Sequence, residues 1–231
     1  MADKKITALT QGIPVANDVF PYVSSPGASP VTQKTLYDNG GWIGAVGTWT
    51  YASATSITIP SGGASLYAVG DRIKLTQTTV KYFYVISVAD TALGITGGTD
   101  YTLTNAAITS PYFSHAASPV GFPNRFIYAP TIGFTAGTAP NTVSSVTYYF
   151  SLTGKTCTVS TYTVYTNAGA TVTGATLTLP IAHASGAQAA YGSVTVGTTQ
   201  NLTFADVSTT LRLNCASASA NRVIAGASYY I

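Results

Sequence analysis

Residues Tyr67 to Asp90 read YAVGDRIKLTQTTVKYFYVISVAD, and the period of that stretch decides the fold. In DRIKLTQ, Ile73 and Leu75 alternate with Arg72 and Lys74, the two-residue repeat of a strand with one apolar face. KYFYVISV is apolar on both faces, with Tyr82, Tyr84, Ile86 and Val88 on one and Phe83 and Val85 on the other. A strand buried on both sides is expected at the centre of its sheet. Asp71 after Gly70 and Asp90 between strands are expected in turns, bonding nearby backbone. Arg72 and Lys74 are expected to point to solvent near an exposed sheet edge, where charge discourages stray pairing, with Lys81 opening the central strand. The stretch holds five of the chain's 17 charged side chains. They are read as register-setting and solubilising chemistry rather than an active site, with a docking face toward a neighbouring protein as their remaining functional value.

The rest of the composition agrees with strands. Only 7% of residues are charged, Glu is absent, and Thr, Ser, Ala and Gly abound beside 16 Tyr. Thr, Val, Tyr and Ile suit a pleated, half-buried surface, while the strong helix formers are scarce. A hydrophobic share of 46% removes the chain from the polar profile of disordered proteins. A net charge of +3, spread along the chain, gives no basic patch for nucleic acid or a membrane surface. The apolar stretch near the N-terminus runs only from Ile6 to Leu9, short of a secretory core, and no run approaches the roughly 18 residues of a membrane helix. Arrival outside a cell is therefore expected through lysis or assembly into a particle.

Four segments are expected. Residues 1–41 form an extended N-terminal docking arm, rich in proline, with a short helical turn near Thr32 to Tyr37. Residues 42–113 form a small β-barrel-like or sandwich module. Residues 114–142 are a Pro/Gly-rich linker whose Phe122, Phe126, Ile127, Tyr128 and Phe134 are too apolar to run free. Residues 143–231 form an antiparallel, jelly-roll-like β-sandwich of seven strands, with the C-terminus tied into the last one.

Motifs that carry chemistry are weak. TGKT at 153–156 resembles the end of a phosphate loop, but Tyr149 stands where its first Gly belongs and no helix is expected to follow. His115 and His183 have no acid near them in sequence and are read as surface or interface residues, although assembly in space stays open. A glycosidase needs two facing carboxylates. Outside the arm only Asp71, Asp90, Asp100 and Asp206 could serve, each at a turn or strand end. Cys157 and Cys215, 58 positions apart in expected strands, are read as free buried thiols, with a disulfide or redox pair as the other option. The sequon at Asn201 is read as chance. No catalytic, cofactor-binding or metal residue is expected. Trp42, Trp49, Tyr51, Tyr112 and Tyr128 fall in or beside loops and could stack on sugars, against the plainer expectation that they pack a core or subunit interface. Asn167, Gln188 and Asn221 are candidate tip contacts.

Three stretches carry a resemblance. KKITALTQGIPVANDVFPYV at 4–23 resembles the N-terminal segment of tailed-phage fibre and appendage proteins. The module from GTWTYASATSITIP to TALGIT, 47–96, looks like a domain recurrent in phage structural proteins. YYFSLTGKTCTVSTYTV, ATLTLPIA and RVIAGASYYI are similar to small β-sandwich heads at fibre ends. The resemblance implies a virion structural protein at the particle surface, made in the host cytoplasm. It implies a homo-oligomer, usually a trimer, that contacts other virion proteins (capsid, portal, neck or tail) through its N-terminus and presents its head to a host surface glycan. With no heptad stalk or collagen-like repeat, a short fibre, spike or decoration protein is expected. A cementing subunit without a receptor role and a polysaccharide depolymerase are the alternatives.

Overall fold

The abundance of β-branched and aromatic residues is realised as an all-β chain whose strand pairs are antiparallel. The structure, a computed structural model, describes residues 20–22, 31–33, 40–136, 142–166, 174–184, 193–196, 198–201, 209–213 and 223–231. In the N-terminal segment, β1 (Phe20–Tyr22) and β2 (Val31–Gln33) pair as a hairpin. The helical turn expected from Thr32 is not formed at its start, because Thr32 and Gln33 belong to β2. The rest of that turn and most of the docking arm lie outside the described residues.

The first module contains β3 (Ile43–Gly44), β4 (Thr50–Ser53), β5 (Ser56–Thr58), the single turn α1 (Gly63–Leu66), β6 (Arg72–Thr76), β7 (Val80–Ala89), β8 (Ala92–Thr96) and β9 (Thr109–Ser114). They form one seven-stranded sheet in the order β3-β9-β6-β7-β8-β5-β4. Its two edge strands are joined by residues 45–49 alone, so the sheet must curl until its edges approach. The inner face closes around Trp49, Ile57, Ile73, Leu75, Phe83 and Ile95, all buried in one cluster with neighbours from the other strands. Burying each such side chain contributes about 1.5–3 kcal/mol.

β7 stands fourth of the seven, the central place its two apolar faces require. Its alternation breaks once. Val85 pairs with Ile95 and Ser87 with Gly94, which leaves Ile86 as the extra residue of a β-bulge. Tyr82, Tyr84 and Ile86 pack on the outer face, and beyond the bulge Val88 joins Phe83 and Val85 on the inner one. The expected grouping of Val88 with the tyrosines is corrected by that extra residue. β6 is also not near an edge, since it pairs with β7 on one side and β9 on the other.

The C-terminal half is built from β10 (Phe126–Ile127), β11 (Ile132–Ala136), β12 (Thr142–Thr153), β13 (Thr156–Thr166), β14 (Gly174–Thr178), β15 (Ser193–Val196), β16 (Thr198–Asn201), β17 (Thr210–Leu213) and β18 (Val223–Tyr230). One sheet runs β10-β12-β13-β18, a second runs β11-β14-β17, and β15 pairs with β16. Leu177 of β14 shares a buried cluster with Phe150, Leu152, Val159 and Tyr229 of the first sheet, so the two pack face to face as a β-sandwich. β10 and β11 come from the Pro/Gly-rich segment, which thus supplies strands to both sheets and buries Phe126 completely. The final strand is held along β13, and the Ile231 amide donates to Lys155 O at 2.9 Å.

Candidate functional site

Polar side chains converge where the first module meets the sandwich. Arg72 leaves β6 on its outer face, and the register sets it opposite Tyr84. Sandwich residues cover that face: Tyr84 lies in the cluster of Phe126, Phe150, Leu152 and Cys157. Arg72 is consequently only 3% exposed, not solvent-facing as expected. The alternation was right and the surroundings were not, because a second module replaces water on that side. Its guanidinium donates through Nη1 to Gly70 O and through Nη2 to Leu152 O at 2.7 Å. It also lies 5.4 Å from the Tyr84 ring and 6.0 Å from the Phe122 ring. Burial pushes its pKa down while Tyr84 and Asp71 push it up, and a guanidinium remains charged through such shifts. Lys74, half-buried, sits 4.7 Å from the Trp42 ring and 4.6 Å from that of Tyr112, and burial lowers its pKa too.

Directly before Arg72, Asp71 is the expected turn residue. Its Oδ2 accepts from the Ala68 amide at 2.8 Å. Its Oδ1 lies 2.8 Å from Nδ1 of His115, a side chain 44 positions away that the fold brings alongside. The pair joins a nearly buried carboxylate to an imidazole whose side chain is 52% exposed. An Asp–His pair can orient a general base. Here the adjacent hydroxyl is committed elsewhere, since Ser114 Oγ donates to Gly41 O at 2.6 Å and accepts from Ala116 N at 3.1 Å. The geometry therefore describes a structural clasp around the turn at 68–71.

The other acids also serve backbone. Asp90 Oδ1 accepts from Gly62 N and Asp100 Oδ2 from Ile127 N, each at 2.8 Å. Asp206 lies outside the described residues, as do Cys215, Asn167, Gln188 and Asn221. His183 is far from such a partnership: its Nδ1 lies 2.8 Å from the neighbouring Ala184 O. TGKT forms the tight turn between β12 and β13, with Gly154 at φ +56°, and no phosphate loop. Among the described residues no three His, Cys, Asp or Glu side chains gather as metal ligands.

No protein-family model, curated protein or solved structure matches the chain. The remaining candidates rest on placement alone. Trp42, Trp49 and Tyr128 are buried, so these three pack cores and offer no free ring face to a sugar. Tyr51 and Tyr112 are half-buried. Cys157 is a free buried thiol, and burial, partly offset by the Tyr229 hydrogen bond, raises its pKa to about 12. An open groove of about 380 Å³ lies between Val46, Pro60, Leu66 and Tyr67.

The partnership of Asp71 with His115 had no local signal, because a separation of 44 positions has no period to read. The burial of Arg72 did have one. If β7 is covered on its Tyr82–Tyr84 face, a residue paired with Tyr84 on the next strand shares that cover.

Proposed function

We propose that this chain is a non-enzymatic structural protein of a tailed-phage particle, a short trimeric fibre or spike. Its N-terminal segment docks to other virion proteins, and its C-terminal sandwich faces the host surface and binds glycans there. The observation that carries the reading is the junction: a buried arginine, a clasped turn and a shared aromatic cluster join two β modules into one unit. Such a unit suits a protein that must hold a distal surface away from its anchor. The resemblance of residues 4–23 to fibre N-termini and a composition rich in Thr and Ser hydroxyls support it. So does the use of Asp71, Asp90 and Asp100 as backbone caps. No helix among the described residues is long and apolar enough to cross a membrane. Shallow polar and aromatic contacts would gain their strength from three linked copies.

The test is adsorption. Purified chain added to host cells ahead of phage should reduce adsorption in a dose-dependent way, and its mass in solution should be three times 23.8 kDa. A monomer that leaves adsorption untouched overturns the reading.

Capsid decoration without a receptor role is a second reading, favoured by exposed Ile43 and Val46 on the first module and Val120 in the segment that follows it. A particle lacking the protein would then adsorb normally and lose shell stability. New reducing ends after incubation with host capsule would instead establish a depolymerase.

A further inference from the structure

The turn at residues 68–71 is gripped from two sides. From the solvent side, the half-exposed His115 holds Asp71 Oδ1 while Asp71 Oδ2 holds the Ala68 amide. From the buried side, Gly70 at φ +97° lies directly against the backbone of Gly154, so close that a Cβ at Gly70 would overlap the Gly154 carbonyl. Arg72 closes the same side by donating to Gly70 O within the turn and to Leu152 O across the junction.

We propose that the Asp71–His115 pair is an exposed latch on the module junction, holding the 68–71 turn in the one conformation on which the Thr153–Thr156 hairpin of the sandwich seats. The turn is specified by few bonds: Asp71 N to Ala68 O at 3.1 Å, Gly70 N to Val85 O at 2.8 Å, Val85 N to Asp71 O at 2.9 Å, and two from side chains, Asp71 Oδ2 accepting from Ala68 N and Arg72 Nη1 donating to Gly70 O. Of the two side-chain bonds, only the Asp71 bond is within reach of His115. The Asp71 side chain that makes it is 6% exposed. Removing His115 leaves Asp71 Oδ1 under-bonded in that burial, and a buried acceptor without its donor costs the desolvation of the group. The turn relieves the cost by moving Asp71 toward water. Gly70 and Arg72 flank Asp71, so that movement also disturbs the contact with Gly154 and the bond to Leu152. Tyr67 and Arg72 are the other titratable groups that bear on Asp71, and the Phe113 ring packs edge-on against His115 at 5.3 Å. The exposed imidazole is thus a handle through which anything that binds or alters it reaches the second module. The latch is independent of whether the chain belongs to a particle.

The test is hydrogen exchange on the full chain, comparing wild type with H115A, H115N, R72M and the H115A/R72M double variant. H115A should speed exchange about tenfold over residues 150–157 and at the Ile231 amide, whose acceptor is Lys155 O, while residues 92–96 stay protected. H115N should restore protection, because its amide N–H can stand where Nδ1–H stood. R72M should open the same amides, and the double variant should exchange no faster than R72M alone. Changes confined to residues 66–72 and 113–117 in H115A would overturn the latch. So would effects of H115A and R72M that multiply, or failure of H115N to rescue.

Discussion

Arg72 carries a full charge into the junction without a carboxylate bonded to it among the described residues. The neighbouring acid, Asp71, is bonded by His115 and Ala68. Two carbonyls and two ring faces compensate the guanidinium, and its rigid planar fork holds Gly70 O and Leu152 O with two separate nitrogens. Replacing Arg72 with Met leaves Gly70 O and Leu152 O without that donor, and denaturant titration should show a loss of about 1–3 kcal/mol. Arg72→Lys should lose nearly as much, since a single nitrogen on a shorter stem does not span the two acceptors that Nη1 and Nη2 hold separately. Ionisation in the sandwich core gives a second expectation. Burial raises Cys157 to about 12 and also raises Tyr128 and Tyr229. An acid whose folded pKa lies above its unfolded value keeps its proton better when folded, so its contribution is full below the unfolded pKa and lost as pH rises through the folded one. Stability should therefore fall as pH rises above about 9 for Cys157 and above about 10 for the two tyrosines, which a series of denaturant titrations across pH 8–11 would check. Thiol labelling at pH 8 should likewise leave Cys157 unmodified until denaturant is added. The depth of these groups was partly legible: the strand containing Cys157 was, but its Tyr229 partner, 72 residues on, was not.

At the scale of elements, turns decide how strands meet. Gly70 and Gly154 belong to different modules, and the two turns touch because Gly70 lacks a side chain there, whereas a Cβ on Gly154 would point into open space. Gly70→Ala both forces a side chain into the φ > 0 region and drives a Cβ into the Gly154 carbonyl. It should cost about 2 kcal/mol or more in thermal or chemical denaturation, with Gly62→Ala as the control at positive φ but with only an ordinary 3.9 Å contact to Ser65 Oγ. Strand existence was well legible here, because period-two patterns and Gly or Asp turns mark β5 to β8 and the β12–β13 hairpin directly. The bulge at Ile86 was not, since an extra residue in an apolar run changes no residue type. It changes only which face the next residue occupies, which is why Val88 fell on the other side. The neighbours of β6 were likewise set by β9, a strand more than 30 positions away.

At the scale of the whole molecule, both modules contribute to the shared cluster around Tyr84, Phe126 and Phe150, so they are expected to unfold together. Calorimetry should give a single unfolding transition whose calorimetric and van't Hoff enthalpies agree, and two resolved transitions would show separable modules. Composition made the all-β class legible. Sheet-to-sheet contact was beyond it, because which apolar face meets which depends on residues far apart, and the candidate site lies in just such a contact. The proposed display of this joined pair of modules on a phage particle is tested by the position and copy number of the protein on intact, purified particles, by cryo-electron microscopy with quantitative mass spectrometry. The expected result is external density in multiples of three copies, attached at the N-terminal end with the sandwich outermost. Purified particles that lack the protein, or that hold it only inside the shell, would contradict it.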